Sequence, residues 1–202
     1  DTRYGSLKYA SIYLSLGYNC IIYDLRGHGA NRRTFCSYSV REGKDLAEIV
    51  HFFQEKLGRN AEIGLHGESL GAATTIASLK DVQNVSFAVA DCGFSDIENV
   101  LEVIWRYSHI PRAIGPVMNQ YAKLHFGIPI SAMRPIDSLA KNQVPILFIH
   151  GEADQYILPA NSERMYEATK GKRDLLLVPK AGHAESVFVN KSLYTEKLKD
   201  FL

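Results

Sequence analysis

The chain has 202 residues, of which 46% are hydrophobic and 22% are charged, a balance typical of one globular domain with a sizeable core. Lys and Arg together number 23 and Asp and Glu 22, so the net charge of +1 favours neither a nucleic-acid partner nor an acidic membrane surface. No apolar run approaches the roughly 20 residues of a membrane-spanning helix. The three cysteines are widely spaced and form no CxxC pair, so they predict neither a disulfide framework nor a zinc ribbon.

Strand-like and helical segments alternate along the chain, beginning with a helix over 6–16 that Gly17 ends. Short apolar runs, typical of strands buried on both faces, predict strands at 18–23, 61–66, 85–90, 144–150 and 175–178. A capping box of Ser39 and Glu42 begins a second helix. Further helices are predicted at 70–79, 160–170 and 192–202. The alternation predicts an α/β fold, with a mostly parallel sheet covered by helices on both faces.

One segment, 94–142, has no convincing strand pattern; it is rich in aromatic side chains and is interrupted by four prolines. Two interpretations stay open: a long helical connection packed on the sheet edge, and a helical lid inserted over a binding cleft. The aromatic content favours the lid. We therefore expect one domain over 1–202, with 94–142 as a helical lid or cap insertion within it.

The motif with the most chemical content is GESLG at 67–71, which lies between a predicted strand and a predicted helix. A nucleophile elbow needs this context, because a sharp strand-to-helix turn exposes the serine oxygen and leaves room only for glycine at the flanking positions. The N-terminus of the helix also directs backbone N–H groups and the positive end of its dipole toward the same point. These features predict that Ser69 is a nucleophile.

A serine nucleophile needs a histidine base and a carboxylate that orients the histidine. His183 and Asp154 each follow a predicted strand, so both are expected at the sheet edge where Ser69 emerges. Asp91 also ends a strand and stays open as an alternative acid, and Glu152 is a weaker alternative. No HExxH pair and no Gly-rich phosphate-binding motif occurs, so we predict no catalytic metal and no cofactor.

Five segments together resemble α/β-hydrolases of the bacterial serine esterase and peptidase-like group. They are YDLRGHG at 23–29, GLHGESLGAAT at 64–74, ADCGFSD at 90–96, PILFIHGEAD at 145–154 and KAGHAES at 180–186. The resemblance implies the α/β-hydrolase fold, with Ser69 as nucleophile, His183 as base and Asp154 as orienting acid. It also implies that the backbone N–H of Leu70 supplies one oxyanion-hole donor.

The sequence departs from this family on its N-terminal side. The family sheet has eight strands, and its third strand lies between those that correspond here to 18–23 and 61–66 and ends in a loop that gives the second oxyanion-hole donor. A parallel sheet without that strand leaves unpaired backbone groups. We therefore expect roughly 70–100 further residues upstream in the natural protein. A membrane anchor or export signal would lie there; otherwise the cysteine pattern favours the cytoplasm.

The expected reaction is hydrolysis of a carboxylic ester, or an amide, of a small molecule through an acyl-enzyme. Candidates for contacting an apolar acyl or aromatic group of the substrate are Phe94, Trp105, Tyr107 and Met118. A serine peptidase or aminopeptidase-like enzyme also stays open, in which Glu98 and Glu102 would hold a substrate ammonium. So do an acyltransferase and a catalytically silent binding protein with this fold. The sequence leaves the oligomeric state open.

Overall fold

Four parallel strands form the centre of the molecule and follow one another across the sheet in chain order. The computed structural model describes residues 2–58, 60–108 and 111–202. The strands are β1 (Ile63–Glu68), β2 (Val85–Asp91), β3 (Ile146–Gly151) and β4 (Arg173–Val178). Each lies within two residues of a predicted strand, and every neighbouring pair runs parallel. The predicted mostly parallel sheet is confirmed.

Helices cover both faces of this sheet, as the α/β prediction requires. They are α1 (Leu7–Ser15), α2 (Val40–Leu57), α3 (Leu70–Ser78), α4 (Ile97–Ser108), α5 (Gly115–Phe126), α6 (Ala160–Ala168), α7 (Ser186–Val189) and α8 (Lys191–Phe201). Helices α2, α3 and α6 pack in one apolar cluster on one face. Helices α1, α7 and α8 pack in a second cluster on the opposite face.

The two central strands have no polar face, which is why they lie in the middle. In β2, Ala88 and Ala90 join the cluster of α2 and α3, whereas Phe87 and Val89 join the cluster of α1 and α8. Residues 146–149 of β3 alternate in the same way, and none of them has exposed surface. Because successive side chains of a strand point to opposite faces, a continuous apolar run fits only a strand that is covered on both sides.

The second helix begins as the capping box predicts. The Glu42 carboxylate accepts hydrogen bonds from the backbone N–H groups of Ser39 (3.0 Å) and Ser37 (2.9 Å). The Glu42 side chain is fully buried, so these donors compensate for the water that the carboxylate has lost. The helix ends at Leu57, before Gly58, whose φ is +91°.

The strand predicted at 18–23 has no pairing partner among the described residues. This segment belongs to no ladder among the described residues, and β1 pairs there only with β2. The ring of Tyr18 packs edge-on against Phe87, with 5.6 Å between centroids, and Tyr23 packs against the cluster of α2 and α3. The apolar pattern of this segment indicates that its side chains are buried. A strand also needs a neighbouring strand that forms hydrogen bonds with its backbone.

The segment 94–142 is helical over much of its described length. Besides α4 and α5 it contains short 3-10 turns at Ile130–Ala132 and Pro135–Leu139, and its described parts, 94–108 and 111–142, contain no strand. Apolar side chains of this segment share a buried cluster with Ala73 of α3. The insertion therefore packs beside the N-terminal half of α3, while its role as a lid stays a prediction. No helix in the described parts of the chain has the length and apolarity needed to cross a bilayer.

Candidate active site

The turn between β1 and α3 holds Ser69 in a left-handed backbone conformation. Its φ is +55°, a region that costs a non-glycine residue about 1–3 kcal/mol. The backbone N–H of Ser69 donates to the carbonyl oxygen of Asp91 at the end of β2 (2.8 Å), and the Ser69 carbonyl accepts from the N–H of Ala73 (3.1 Å). The sheet and the helix thus fix the turn from both sides and leave the Ser69 side chain partly exposed.

The described residues leave no room for a side chain on one side of this turn. A Cβ atom on Gly67 would lie 2.1 Å from the carbonyl oxygen of Gly71 and 2.6 Å from the backbone nitrogen of Ala72, so no larger residue fits. A Cβ atom on Gly71 would meet no described atom within 4 Å apart from its chain neighbours and the backbone of its own helix. Among the described residues, steric contact therefore accounts for glycine at Gly67 and not at Gly71.

Three side chains from three separate turns form a continuous line of hydrogen bonds. His183, in the loop after β4, places Nε2 2.9 Å from Oγ of Ser69. Its Nδ1 lies 2.7 Å from Oδ2 of Asp154, in the loop after β3. The carboxylate accepts, so Nδ1 carries the hydrogen and Nε2 is left to accept the hydrogen of the Ser69 hydroxyl. Such an arrangement can move a proton from the serine to the imidazole while the carboxylate stabilises the charge that forms.

The carboxylate of Asp154 is fully buried and yet held in its ionised form. Its Oδ1 accepts hydrogen bonds from the backbone N–H groups of Tyr156 and Ile157, each at 2.9 Å. Burial alone raises the pKa of Asp154, but hydrogen bonds from His150, His183 and the N–H of Ile157 outweigh it, so the pKa lies well below its usual range. The acid therefore stays negative beside the histidine.

His150 supports this carboxylate from the end of β3, a contact that was not predicted. The side chain is fully buried, and its Nδ1 lies 2.7 Å from Oγ of Ser162. Its Nε2 lies 2.7 Å from the carbonyl oxygen of Ile157 and 3.3 Å from Oδ2 of Asp154. Because a carbonyl oxygen only accepts, Nε2 carries the hydrogen. The four-residue spacing does not signal this contact, because it brings side chains together within a helix, whereas His150 ends a strand and Asp154 lies in the loop after it.

The two remaining candidate acids, Asp91 and Glu152, lie elsewhere. Oδ2 of Asp91 accepts from the hydroxyl groups of Tyr194 (3.0 Å) and Tyr9 (3.2 Å), and Glu152 is exposed. Neither carboxylate is among the hydrogen-bond partners of His183 in the part of the chain that the structure describes. The geometry favours Asp154 as the acid.

Asp91 nevertheless sits in an unusual environment directly behind the turn. It has no exposed surface, and its Oδ1 has no hydrogen-bond partner among the described residues. The hydroxyl of Tyr9 lies between Asp91 and Glu68, donating toward both carboxylates. Burial, and then the negative charge of Glu68, raise the pKa of Asp91 to about 6.

Lys8 links the residue before the nucleophile to the loop of the histidine. Its ammonium forms an ion pair with Glu68 and donates to the carbonyl oxygen of Ala184 (3.2 Å), which follows His183 in the chain. Helix α1 is thereby tied to two parts of the site. No sequence signal distinguishes Lys8 from other surface lysines, because the contact spans 176 residues.

The predicted oxyanion donor and the predicted substrate contacts have different surroundings. Leu70 is the first residue of α3, so its backbone N–H has no acceptor within the helix.

Phe94 is only 3% exposed and packs in the cluster that also includes Leu70. Trp105 in α4 packs toward Gly115, and Met118 lies half-buried in α5. The Tyr107 side chain lies outside the described residues. These substrate contacts stay predictions.

Two further side chains adjoin the histidine. The ring of Tyr156 lies against His183, with 5.2 Å between centroids, and is 56% exposed. The buried sulfur of Cys92, the residue after β2, belongs with Asp154 and His183 to a group whose ligand atoms all lie within 4.8 Å of one another. Neither contact has a sequence signal, because both arise from the meeting of adjacent strand ends.

The sheet, its helical layers and the strained turn at Ser69 define an α/β-hydrolase. A sequence model of the prolyl oligopeptidase family matches residues 6–202, and the chain therefore belongs to that family. This finding confirms the resemblance to hydrolases of the esterase and peptidase-like group.

The relatives and a solved structure agree with this assignment. The chain is 33% identical over 201 residues to the uncharacterized protein YqkD of Bacillus subtilis (strain 168), which covers 98% of this chain and 66% of YqkD. It is 23% identical over 190 residues to the uncharacterized protein YfhR of Escherichia coli (strain K12), which covers 92% of this chain and 60% of YfhR. The chain thus spans less than two thirds of the length of these relatives. The Pyrococcus furiosus esterase Pf2001 superimposes with a TM-score of 0.74 at 20% identity, over 96% of this chain and 74% of the esterase, which shows the shared fold.

Proposed function

We propose that this chain carries the catalytic residues of a serine hydrolase that cleaves a carboxylic ester, or an amide, of a small molecule. The observation that carries the proposal is the line of hydrogen bonds from Ser69 Oγ to His183 Nε2 (2.9 Å) and from His183 Nδ1 to Asp154 Oδ2 (2.7 Å). The strained turn that exposes Ser69 and the membership of the prolyl oligopeptidase family support it.

The reaction proceeds through an acyl-enzyme. His183 Nε2 takes the hydroxyl proton of Ser69 as Oγ attacks the acyl carbon, and the backbone N–H of Leu70 donates to the oxyanion that forms. When this intermediate collapses, His183 gives the proton to the departing alcohol or amine. A water molecule, deprotonated in turn by His183, then attacks the acyl carbon. His183 returns this proton to Ser69 Oγ as the bond between Oγ and the acyl carbon breaks, which releases the acid and restores the serine. Asp154 keeps the imidazole in the productive tautomer and stabilises its positive charge throughout.

A peptidase-type substrate is the second candidate, and the family match favours it. The acidic pair proposed to hold a substrate ammonium receives less support, because Glu102 is paired with Arg112 at the surface. A partly exposed carboxylate that already has a cationic partner attracts a second cation weakly. We therefore rank the ester above the aminopeptidase-like substrate.

The first test is covalent labelling of the full natural chain with a serine-directed fluorophosphonate. We expect one adduct that maps to Ser69 and is absent in Ser69→Ala. Ser192→Ala removes an exposed serine of α8 and should label like the wild type. A wild-type protein that folds but does not label would contradict the mechanism and favour a catalytically silent binding protein.

The second test separates the substrate classes. The ratio kcat/KM is measured on p-nitrophenyl acyl esters of increasing chain length and on aminoacyl anilides with a free amino group. We expect turnover of the esters, and a loss of about 10⁴-fold or more in Ser69→Ala. Faster turnover of the aminoacyl anilides would instead favour the peptidase candidate.

A further inference from the structure

We propose that a soft divalent cation, Zn²⁺ or Cd²⁺, binds between Cys92, Asp154 and His183 and switches the site off. The binding part of this proposal stands on the donor atoms alone, whereas the inhibition rests on the proposed function. The three side chains offer one sulfur, one oxygen and one nitrogen atom, all within 4.8 Å of one another. In the described residues, no other group of at least three such side chains is this compact.

The fold brings these donors together because three adjacent strands end side by side. Cys92 follows β2, Asp154 lies in the loop after β3, and His183 lies in the loop after β4. The backbone N–H of Cys92 donates to the carbonyl oxygen of Ile149 in β3 (2.8 Å), which fixes the sulfur-bearing residue against the neighbouring strand. The N–H of Ala153 donates to the carbonyl oxygen of Ala181 (2.9 Å), which ties the two loops together.

The donor set matches the preferences of zinc and cadmium. A thiolate, an imidazole and a carboxylate are ordinary zinc ligands, and a water molecule supplies the fourth position of a tetrahedral site. Bond lengths to zinc imply separations of about 3.3–3.6 Å between ligand atoms in such a site. The widest of the present separations, up to 4.8 Å, therefore has to contract by up to about 1.2–1.5 Å when the metal binds. Magnesium and calcium, which prefer oxygen ligands, do not match.

Charge and access also agree with a cation at this point. Asp154 is already ionised, whereas burial raises the pKa of the Cys92 thiol well above its usual value, so the metal has to displace the thiol proton to solvent. The two negative ligands then balance the double positive charge. Cys92 and the Asp154 side chain have no exposed surface, whereas the His183 side chain is 25% exposed. The cation therefore enters from the open side of the site, past His183.

Occupation of this position disables the proton relay. The imidazole and the carboxylate direct lone pairs at the metal, so the 2.7 Å hydrogen bond between His183 and Asp154 is lost. A ring that is held by a cation cannot take the proton of Ser69 and carry the positive charge that follows. The cysteine itself does not act in the proposed reaction.

Binding is tested in the full natural chain with the Ser69→Ala substitution, which keeps all three ligands and needs no activity. Titration with Cd²⁺ should produce a saturable ultraviolet cadmium–thiolate band. Cys92→Ser, with Cys92→Ala as a second variant, should weaken the binding by about 100-fold or more, since even ligand-supporting groups account for 10–100-fold. The matched control Cys36→Ser removes a thiol outside this group and should leave the titration unchanged. The absence of saturable binding, or a band that survives loss of Cys92, would overturn the site.

Inhibition is tested separately through fluorophosphonate labelling of the protein with Ser69 intact. Zn²⁺ should slow labelling of the wild type and of Cys36→Ser, a chelator should restore it, and Mg²⁺ at the same concentration should have no effect. In Cys92→Ser, the Zn²⁺ concentration for half-inhibition should rise by about 100-fold. Metal binding that leaves labelling unchanged would overturn the inhibitory role, and a wild type that never labels would instead contradict the proposed function.

Discussion

The fully buried ring of His150 places Nε2 beside the carboxylate of Asp154. The Nε2 of His150 points at the carbonyl oxygen of Ile157 (2.7 Å) and lies 3.3 Å from the same Asp154 oxygen that faces His183. The Nδ1 of His150 lies 2.7 Å from Oγ of Ser162, so both ring nitrogens have a hydrogen-bond partner. The buried imidazole thus connects the loop of Asp154 to α6 and holds the carboxylate that faces His183.

Replacement of His150 should therefore damage both stability and turnover. In His150→Phe, the Ser162 hydroxyl and the Ile157 carbonyl lose their partner in the interior, which should cost about 2–4 kcal/mol in the free energy of unfolding. The loop of Asp154 should shift, and kcat should fall by about 10–100-fold with little change in KM. His150→Gln, whose amide can donate to the same oxygens, should recover much of kcat.

A control separates positioning from stability in this experiment. Ser162→Ala removes only the outer hydrogen bond, so it should cost about 1 kcal/mol and leave kcat close to the wild type. Urea unfolding and steady-state kinetics on the same preparations measure both quantities. If His150→Phe is less stable but keeps the wild-type kcat, His150 has no positioning role.

The identity of the orienting acid gives a second prediction. Asp154→Asn keeps the shape of the side chain but presents an amide that stabilises the wrong histidine tautomer, so kcat/KM should fall by about 10⁴-fold. The protein should remain folded, because the Asn oxygen can still accept from Tyr156 and Ile157. Glu152→Gln, two residues away and exposed, should keep wild-type kinetics. The opposite ranking of the two variants would assign the acid to Glu152.

The layered fold and the meeting of three candidate residues were predictable for definite physical reasons. A strand such as β3, without a polar residue over 146–149, fits only the middle of a covered sheet. In a parallel sheet, the carboxyl ends of all strands meet at one edge. The order of Ser69, Asp154 and His183 after successive strands therefore predicted that they would lie together.

What the sequence did not predict depends on neighbours that are distant along the chain. The run at 18–23 has the apolar character of a strand, but pairing is a property of two segments, and one segment cannot report it. Glycine was expected at both ends of the turn, whereas only Gly67 faces a backbone across it. Cys92 and Tyr156 lie beside His183 because the ends of adjacent strands meet. Neither residue belongs to a sequence motif, so the contact could not be predicted.

The two glycines of the turn give a matched pair of variants. Gly67→Ala places a Cβ atom 2.1 Å from a backbone oxygen that cannot move without unwinding α3, so we expect loss of labelling at Ser69 and a destabilisation of about 3 kcal/mol or more. Gly71→Ala, in the first turn of the same helix and facing open space, should raise stability by about 0.5–1 kcal/mol. Thermal unfolding and fluorophosphonate labelling check both variants. Equal effects of the two substitutions would contradict the geometry of this turn.

Asp91 should make the stability of the protein depend on pH. Burial and the charge of Glu68 raise its pKa from 3.8 to about 6, so the folded state holds this proton more tightly than the unfolded chain does. The contribution of Asp91 to stability is therefore complete below pH 4 and is lost as the pH rises through 6, by an amount on the order of 3 kcal/mol.

In Asp91→Asn the side chain is neutral at every pH, so this loss should disappear. Urea titrations give the free energy of unfolding of both proteins at pH 4.5 and at pH 8. The value for the variant minus the value for the wild type should be larger at pH 8 than at pH 4.5. Asp81→Asn, on an exposed turn, should follow the wild type at both values. A difference between Asp91→Asn and the wild type that stays constant with pH would mean that Asp91 ionises normally. Groups other than the hydroxyls of Tyr9 and Tyr194 would then stabilise the negative charge of Asp91 beside Glu68.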